Sequence, residues 1–404
     1  MVISRFRRRT WHASANAVVL AYLVAAVAWL AVRHGPRPGW LVIHLLLLGA
    51  VTNAIVTWGA HFTATLLRQP QPSRRLATIR LVVLNAAVVT VLAGVEAGQH
   101  ATVVVGASLL IAVIAGHGGA LARAVHAAKG RRFVAAVRYY YVAAAALVLG
   151  AAAGAAMAIG VPARWYPRLF AAHLHLNLLG WVTLTVFGTQ FSLWPTALRT
   201  RMVDGLDSAA RRCLFACTAG LALIVAGVLA ATRPVTIAGL LLYLAGAALF
   251  LDPFLRTGRR RAPHSPATWM LAAGTAWLVI ALVVDAAAVI GSGDPAMLAD
   301  RLESLVPWFL PGFPVQVLLG ALTYLLPVVL GGGPALGRRT AAVLDRWGWP
   351  RIAVLNAGVL LLTLPSDTAR AAGWALVAVA VAAFLVLAGT ALAITYRQTS
   401  AGST

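Results

Sequence analysis

The chain has little of what disulfide-stabilised and cysteine-rich metal proteins contain. Only two of its 404 residues are cysteines, Cys213 and Cys217, which excludes a disulfide framework and any all-cysteine zinc or iron–sulfur site. Charged residues make up 11% of the chain, less than half of the roughly 25% that is typical of soluble domains. Hydrophobic residues make up 61%, and the mean hydropathy is +0.85. This composition excludes a water-soluble fold and indicates a membrane protein.

Long apolar runs account for the composition. A bilayer core about 30 Å thick requires roughly 20 apolar residues per helix, and twelve such runs lie between clusters of arginine, proline or glycine. They cover approximately residues 14–33, 40–67, 77–98, 101–125, 134–160, 168–197, 210–231, 235–254, 268–290, 304–331, 347–364 and 371–396. The sequence predicts an all-α polytopic bundle of twelve transmembrane helices, a single membrane domain over residues 1–404. The second, sixth and tenth runs exceed the ordinary length, which indicates tilt or an interrupted helix.

The formal charge of +23 follows the connections between these runs. When the 33 arginines and lysines are assigned to alternate sides, 26 share the side of both chain ends and seven lie opposite: Arg33, Arg37, Arg164, Arg168, Arg233, Arg301 and Arg370. An excess of basic residues marks the cytoplasmic side. We therefore predict cytoplasmic termini, a multi-pass protein of the cytoplasmic (inner) membrane, and an uncleaved first span. The charge requires no nucleic acid, although basic loops suit anionic lipid head groups.

Five histidines fall inside the predicted spans, where an ionisable residue is costly and is a candidate for function. At about 1.5 Å per residue, His44, His173 and His175 lie roughly 6–10 Å from the outer face, and His61 and His117 lie about 10 Å from the inner face. Histidine is the commonest metal ligand and a usual axial ligand of haem. We expect the outer layer to bind a cofactor, with hydrogen-bonded core histidines as the alternative. For the inner pair the two interpretations are balanced.

The sixth span has the pattern that a porphyrin needs. Its residues His173, Asn177, Gly180 and Gly188 lie on one helical face, where the glycine positions leave room for a flat ring. His175 lies about 200° further around the helix, so a regular helix cannot direct both histidines at one metal. We expect one of them to be a ligand and the other to contact a neighbour or a second centre.

Other polar residues are weaker candidates. Cys213 and Cys217 face the same way and could hold Cu(I), but small core packing is the simpler interpretation. Asp285 could relay protons or pair with an arginine of the outer layer. The tenth span is polar and kinked, which suits the lining of a cavity; the residues concerned are Gln316, Tyr324, Pro311, Pro314 and Pro327.

Several segments resemble a known family. His173–Trp181 with Trp194–Arg201, His44–Asn53 through Phe62, and Gly320–Pro327 with Gly331–Pro334 resemble the membrane portion of actinobacterial copper-oxidase-type proteins, which are often fused to a multicopper oxidase or copper nitrite reductase module. Twelve spans with histidines in the second and sixth are also similar to subunit I of haem–copper oxidases and to the NnrS membrane proteins. The resemblance implies b-type haem, copper or both, with His44 and a sixth-span histidine as haem ligands.

The departures from the oxidases limit what the resemblance implies. The predicted seventh and tenth spans, 210–231 and 304–331, contain no histidine. The resemblance therefore does not extend to the oxygen-reducing centre of haem–copper oxidases or to their proton pumping. The expected function is electron transfer to or from a periplasmic-side cupredoxin or multicopper-oxidase-like partner, with the cofactor between the second, fourth and sixth helices. The alternatives are a copper or small-solute transporter without permanent cofactor, and an assembly or scaffold protein. Residues 14–197 and 210–396 share no matching motif, which argues against transporter-like halves.

Overall fold

All regular structure in the computed structural model is helical. The structure describes residues 2–32, 39–128, 130, 133–330 and 333–401, and these residues contain no β-strand. Its thirteen helices are α1 (Val2–Val32), α2 (Trp40–Leu66), α3 (Arg74–Glu96), α4 (His100–His126), α5 (Val134–Ile159), α6 (Tyr166–Ala197), α7 (Leu206–Ala230), α8 (Arg233–Arg260), α9 (Pro266–Gly291), α10 (Pro295–Leu330), α11 (Pro334–Leu344), α12 (Gly348–Leu362) and α13 (Asp367–Ala401).

Eleven helices of the described chain, all but α11 and α12, are long and apolar enough to cross a membrane. A multi-pass all-α membrane protein is therefore confirmed at this level. The twelfth crossing stays a prediction because the predicted span 347–364 corresponds to α12, which has 15 residues where roughly 20 are needed. The cytoplasmic placement of the termini also stays a prediction. Five basic residues of the predicted charge assignment and two glycines of the family resemblance lie outside the described residues: Arg33, Arg37, Lys129, Arg131, Arg132, Gly331 and Gly332.

The helix ends use ordinary local signals. The Ser73 side chain caps α3 by accepting a hydrogen bond from the Leu76 backbone N–H at 3.3 Å. Gly160, with φ of +101°, ends α5 in a conformation that L side chains rarely adopt. Asp294 accepts hydrogen bonds from two backbone N–H groups at the start of α10, so this helix begins at Pro295 and includes residues 295–303, which the sequence placed in an outer connection.

One basic residue differs from its predicted place. Arg351 falls among the cytoplasmic loop residues by the alternation of spans, but in α12 it is only 2% exposed. Its Nη2 donates to the Leu344 carbonyl at 3.2 Å, and its guanidinium lies 5.7 Å from the Phe384 ring centroid. The reason is that α11, which the hydropathy pattern does not predict, folds back and ends beside it. Burial of Asp345, at the end of α11, raises the pKa of that carboxyl, partly offset by the Arg351 charge.

The sequence predicted tilt or interruption for the three long spans, and the structure shows a local break in the α-helical pattern of each. Each contains a stretch of π-helix: Leu45–Val51 in α2, Leu176–Thr183 in α6 and Pro311–Val315 in α10. A π segment inserts an extra residue into the helical turn and is frequent at functional sites. These three segments therefore mark where side-chain directions depart from the regular helical pattern.

The chain divides into two compact units. The first comprises the chain up to Ala54, Pro263–Ile280 and the chain from Val306 onward. Within it α12 packs against α13, α1 packs against the π segment of α2, and the π segments of α2 and α10 contact each other.

The second unit comprises Ile55–Ala262 and Ala281–Leu305. In it α3 pairs with α4, α4 with α5, and α7 with α8, while α6 contacts α5 and α7. The α7–α8 pair is close because a Cβ on Gly220 would lie 2.6 Å from the Tyr243 nitrogen. Small residues of this kind let membrane helices approach.

Candidate functional site

A nine-residue segment recurs in the interrupted helices. His44–Thr52 in α2 reads HLLLLGAVT and His175–Thr183 in α6 reads HLNLLGWVT, identical at seven of nine positions. Val315–Thr323 in α10 reads VQVLLGALT and keeps the Leu-Leu-Gly core and the final threonine. The copies lie in the second, sixth and tenth predicted spans. Comparison of the two halves of the sequence misses this repeat because its period is four spans.

The histidines of the repeat form the same local hydrogen bond. His44 Nδ1 lies 2.8 Å from the Trp40 carbonyl oxygen, and His175 Nδ1 lies 2.7 Å from the Ala171 carbonyl oxygen. Each carbonyl is four residues earlier in the chain. Because a carbonyl only accepts, each Nδ1 carries the proton and donates. In the neutral ring the lone pair is then on Nε2, the tautomer of most metal-ligating histidines.

The threonine that ends the segment also has a repeated contact. Thr52 Oγ1 donates to the Leu47 carbonyl at 2.9 Å, and Thr183 Oγ1 donates to the Leu178 carbonyl at 2.7 Å. Both bonds reach back five residues, the spacing of the π-helix. The hydroxyls thus support the carbonyls that the wider turn leaves poorly aligned.

The glycine of the repeat always faces the preceding helix. A Cβ on Gly49 would lie 2.3 Å from the Tyr22 ring of α1, one on Gly180 would lie 2.5 Å from Ala146 Cβ of α5, and one on Gly320 would lie 2.8 Å from Met270 Cβ of α9. These glycines therefore allow close helix–helix contact. Gly180, which the sequence assigns to a porphyrin site, is in contact with α5 instead.

The remaining residues on that face of α6 also contact α5. His173 Nδ1 donates to the Gly150 carbonyl at 2.8 Å, and Asn177 Nδ2 donates to the His173 carbonyl at 2.7 Å. A Cβ on Gly150 would lie 2.7 Å from the Asn177 amide, and one on Gly154 would lie 2.8 Å from His173 Cε1. The predicted cradle is filled by protein, so this face does not fit a porphyrin.

His175 is one half of a buried pair. Its Nε2 lies 3.3 Å from Asp285 Oδ1, and the two residues are 0% and 7% exposed. Among the described residues the other carboxylate oxygen, Oδ2, has no hydrogen-bond partner. Asp285 therefore contacts a histidine, where the sequence suggested an outer-layer arginine. Of the two sixth-span histidines, His175 is the one that contacts a neighbouring helix through its Nε2.

A cleft lies one helical turn from this pair, toward the end of α9. It has an empty volume of about 460 Å³, is partly open, and includes Arg168, Arg233 and Asp294 in its lining. Ala171, whose carbonyl accepts the His175 proton, and Val289, one turn from Asp285 in α9, also line it. The buried pair is therefore close to a route from the aqueous phase.

His44 belongs to the first unit, and its surroundings differ. Its ring is half-buried and stacks on Trp40, with the centroids 4.1 Å apart. The π segment that follows it contacts the π segment of α10, after which comes Gln316, 0% exposed. Neither polar atom of the Gln316 amide has a hydrogen-bond partner within the described ranges of the chain. Since an unsatisfied buried polar group costs about 1–3 kcal/mol, this amide indicates a place for a polar group that the described residues do not supply.

The inner pair of histidines, His61 and His117, has contacts that differ from those of the outer three. His117 is 1% exposed, and its Nδ1 lies 3.1 Å from Arg80 Nη1. Because arginine only donates, Nδ1 accepts and the proton of the neutral ring is on Nε2, which leaves no lone pair for a metal. His61 is half-buried with its ring edge-on to Trp58, and a Cβ on Gly59, two residues earlier, would lie 4.0 Å from His117 Nε2. The two helices meet at this level, but His117 is a hydrogen-bond acceptor for an arginine.

The two cysteines lie in the core. Both are buried, their Sγ atoms are 3.9 Å apart, and a Cβ on Gly246 would lie 2.5 Å from Cys217 Sγ. This close contact with α8 agrees with the packing interpretation, and Cu(I) binding there stays a prediction.

Two results bear on the suggested cofactors and relatives. Among the described residues no three His, Cys, Asp or Glu side chains come together as a metal site. No model of a known protein family and no curated protein matches the chain. The resemblance to copper-oxidase-type membrane proteins, to NnrS and to haem–copper oxidases therefore stays a prediction.

Proposed function

We propose that the protein binds a redox metal, as copper or as b-type haem, beside His44 and exchanges electrons with a cupredoxin or multicopper-oxidase-like partner on the outer side of the membrane. The observation that carries this proposal is the unsatisfied Gln316 amide. Gln316 directly follows a π segment that contacts the π segment of α2, and His44 directly precedes the latter. A buried amide without a hydrogen-bond partner among the described residues, and a histidine whose Nδ1 is held by a carbonyl, are the features expected of a cofactor site.

Each residue has a defined role in this proposal. His44 is the ligand through Nε2, and the bond from its Nδ1–H to the Trp40 carbonyl orients the ring and increases its basicity. The Gln316 amide binds a polar group of the cofactor or a ligand on the metal. When bound, iron or copper supplies a one-electron redox couple, and the apolar surroundings tune its potential. The α6 face around His173 has no role in holding a porphyrin, because α5 fills it.

The test is metal and haem analysis of the purified protein, expressed with copper and haem supplied. We expect bound metal and a reduced-minus-oxidised difference spectrum in the wild type, both lost in His44→Ala. His100→Ala is the matched control, since His100 is an exposed histidine at a helix start, and it should retain both. Equal metal content in the wild type and in His44→Ala would refute the assignment of His44.

A second function, transport of copper or another small solute, is favoured by one observation. The His175–Asp285 pair is buried among the helices long enough to span a membrane, a single turn away from the cleft lined by Arg168, Arg233 and Asp294, and such pairs often mark ion or substrate pathways. Transport predicts uptake into proteoliposomes by protein that holds no permanent chromophore, and loss of uptake in Asp285→Asn. Uptake unaffected by Asp285→Asn would remove this candidate.

A further inference from the structure

The first half of the chain carries positive charge that it does not balance itself. Residues 1–203 contain one acidic residue, Glu96, which ends α3 at the opposite end from Arg74, Arg75 and Arg80. Across the described residues, neither Arg80 nor Arg123 forms an ion pair with a carboxylate. The described residues therefore pair neither of these two arginines with a carboxylate.

Arg80 is held in place between two helices. It lies six residues into α3 and is half-buried, and its Nη1 donates to Nδ1 of His117, a buried side chain of α4. The exposed Arg123, also on α4, extends back toward the same turn, because its Nη1 would lie 3.6 Å from a Cβ on Gly119, two residues after His117. Two guanidinium groups near each other without a carboxylate are unfavourable unless an anion lies between them. Their planar forks match the oxygens of a phosphate.

The surface around Arg80 is apolar and faces outward. Leu76, Ile79 and Val82 of α3 are 61%, 48% and 62% exposed, as expected of side chains that contact acyl chains. Exposed apolar side chains therefore lie on both sides of Arg80 along α3, within two turns of Arg74 and Arg75 at the helix start. A ligand that suits this position would have a phosphate to bind the arginines and hydrocarbon chains to contact the helix surface.

We propose that Arg80 and Arg123 bind the head-group phosphate of an anionic phospholipid where α3 packs against α4, with its acyl chains along the exposed face of α3. His117 is a positioning residue, because it contacts Arg80 and not the lipid. This site is independent of the proposed metal site, and either can fail without the other. Binding at this site depends on two particular arginines, whereas a general attraction of basic loops to the membrane does not.

The experiment measures lipid binding to the purified protein by native mass spectrometry, with phosphatidylglycerol and phosphatidylcholine as the probes. Losing one charge-assisted contact corresponds to about a tenfold weaker affinity or more. We expect that loss for phosphatidylglycerol in Arg80→Gln and in Arg123→Gln, and unchanged weak binding of phosphatidylcholine. The matched control is Arg211→Gln, which removes an exposed arginine of α7 that already pairs with Asp207, and it should bind like the wild type.

Further outcomes test the site, the ligand and the role of His117. Equal affinities for the two lipids, or equal losses in Arg80→Gln, Arg123→Gln and Arg211→Gln, would overturn the site. Displacement of the bound lipid by inorganic phosphate alone would show that the two arginines bind free phosphate, and it would overturn the lipid proposal. His117→Ala should weaken phosphatidylglycerol binding and His117→Asn should restore some of it, whereas no change in either would remove the positioning role. If Arg80→Gln fails to fold, Arg123→Gln gives the same test at an exposed position.

Discussion

The repeated segments of α2 and α6 have the same local structure but different neighbours. In both, the histidine donates Nδ1–H to the carbonyl four residues back, a π segment follows, and the threonine reaches back five residues. His44 is half-buried against Trp40, whereas His175 is fully buried against Asp285. The nine residues thus determine the backbone and the hydrogen bond of Nδ1, and the neighbouring helices determine what contacts the rest of the ring.

The copy in α10 shows which features depend on the histidine. It has valine at the histidine position, yet it keeps the glycine contact with the preceding helix, whereas the π segment of α10, Pro311–Val315, ends where the copy begins. The glycine therefore serves the packing of each interrupted helix on its predecessor, and a π segment runs through the two copies that begin with histidine. The histidine at the start of the segment is not needed for this packing, so its function depends on its own contacts.

The largest expected difference between the two copies is in their histidine partners. Asp285→Ala leaves His175 buried without its carboxylate, and losing one member of a buried pair costs about 3–5 kcal/mol. His44→Ala removes a half-buried ring and should cost much less. Unfolding of the detergent-solubilised variants by denaturant gives both values. Asp285→Asn, whose amide can still donate to Nε2, is the control and should recover most of the loss; equal costs for Asp285→Ala and His44→Ala would contradict the comparison.

The next effect concerns the glycine of the repeat. Gly180→Ala forces a methyl group to within 2.5 Å of Ala146 Cβ and 2.9 Å of Leu221 Cδ2, and overpacking of this kind costs about 1–3 kcal/mol. Gly49→Ala meets the half-exposed Tyr22 ring, which can move aside, so its cost should be smaller. Thermal denaturation in detergent tests the order, and a larger loss for Gly49→Ala would show that the two contacts are not equivalent.

Much of the fold was predictable because the bilayer imposes a length on each span. The apolar runs correspond to helices, and of the two alternatives that the excess length of three runs indicated, tilt or interruption, the structure shows a π segment in each. The differences have local causes. α12 has 15 residues, so the twelfth crossing stays a prediction, α11 is an amphipathic helix without a long apolar run, and Arg351 is buried by a contact with the end of α11 that no linear pattern contains.

The candidate site was only partly predictable, because the depth of a residue along its helix does not show which other helices surround it. Periodicity placed His173, Asn177 and Gly180 on one face, but it could not show that α5 fills that face. The partner of Asp285 comes from 110 residues away in sequence. The repeat was visible in the sequence, and a comparison at a period of four spans would have found it.

A smaller effect tests whether the α2 copy adjoins a cofactor. In metal-free protein, Gln316→Leu replaces a buried unsatisfied amide by an apolar side chain of similar size, and we expect a gain of about 1 kcal/mol in unfolding free energy. In metal-loaded protein the same change removes a contact to the ligand and should lower metal retention. Unfolding with and without metal, beside metal analysis, separates the two. Asn356→Leu removes an amide that already accepts from Trp277 Nε1 and should destabilise both forms. A loss of stability in metal-free Gln316→Leu would mean that the amide is satisfied within the protein.

The smallest effect asks whether the threonine bonds matter equally in the two copies. Thr183→Val and Thr52→Val each remove one hydroxyl bond to a π-segment carbonyl, which is worth about 0.5–1.5 kcal/mol, while Thr→Ser keeps the hydroxyl. Thr183 is 0% exposed and Thr52 is 1% exposed, so burial does not distinguish them. If the repeat is a packing unit, both valine variants should lose similar stability in denaturant unfolding, and both serine variants should recover it. If Thr52→Val also lowers metal retention while Thr52→Ser restores it, the bond orients His44 as well as supporting the helix. A valine variant as stable as the wild type at either position would show that the hydroxyl bond there does not support the π segment.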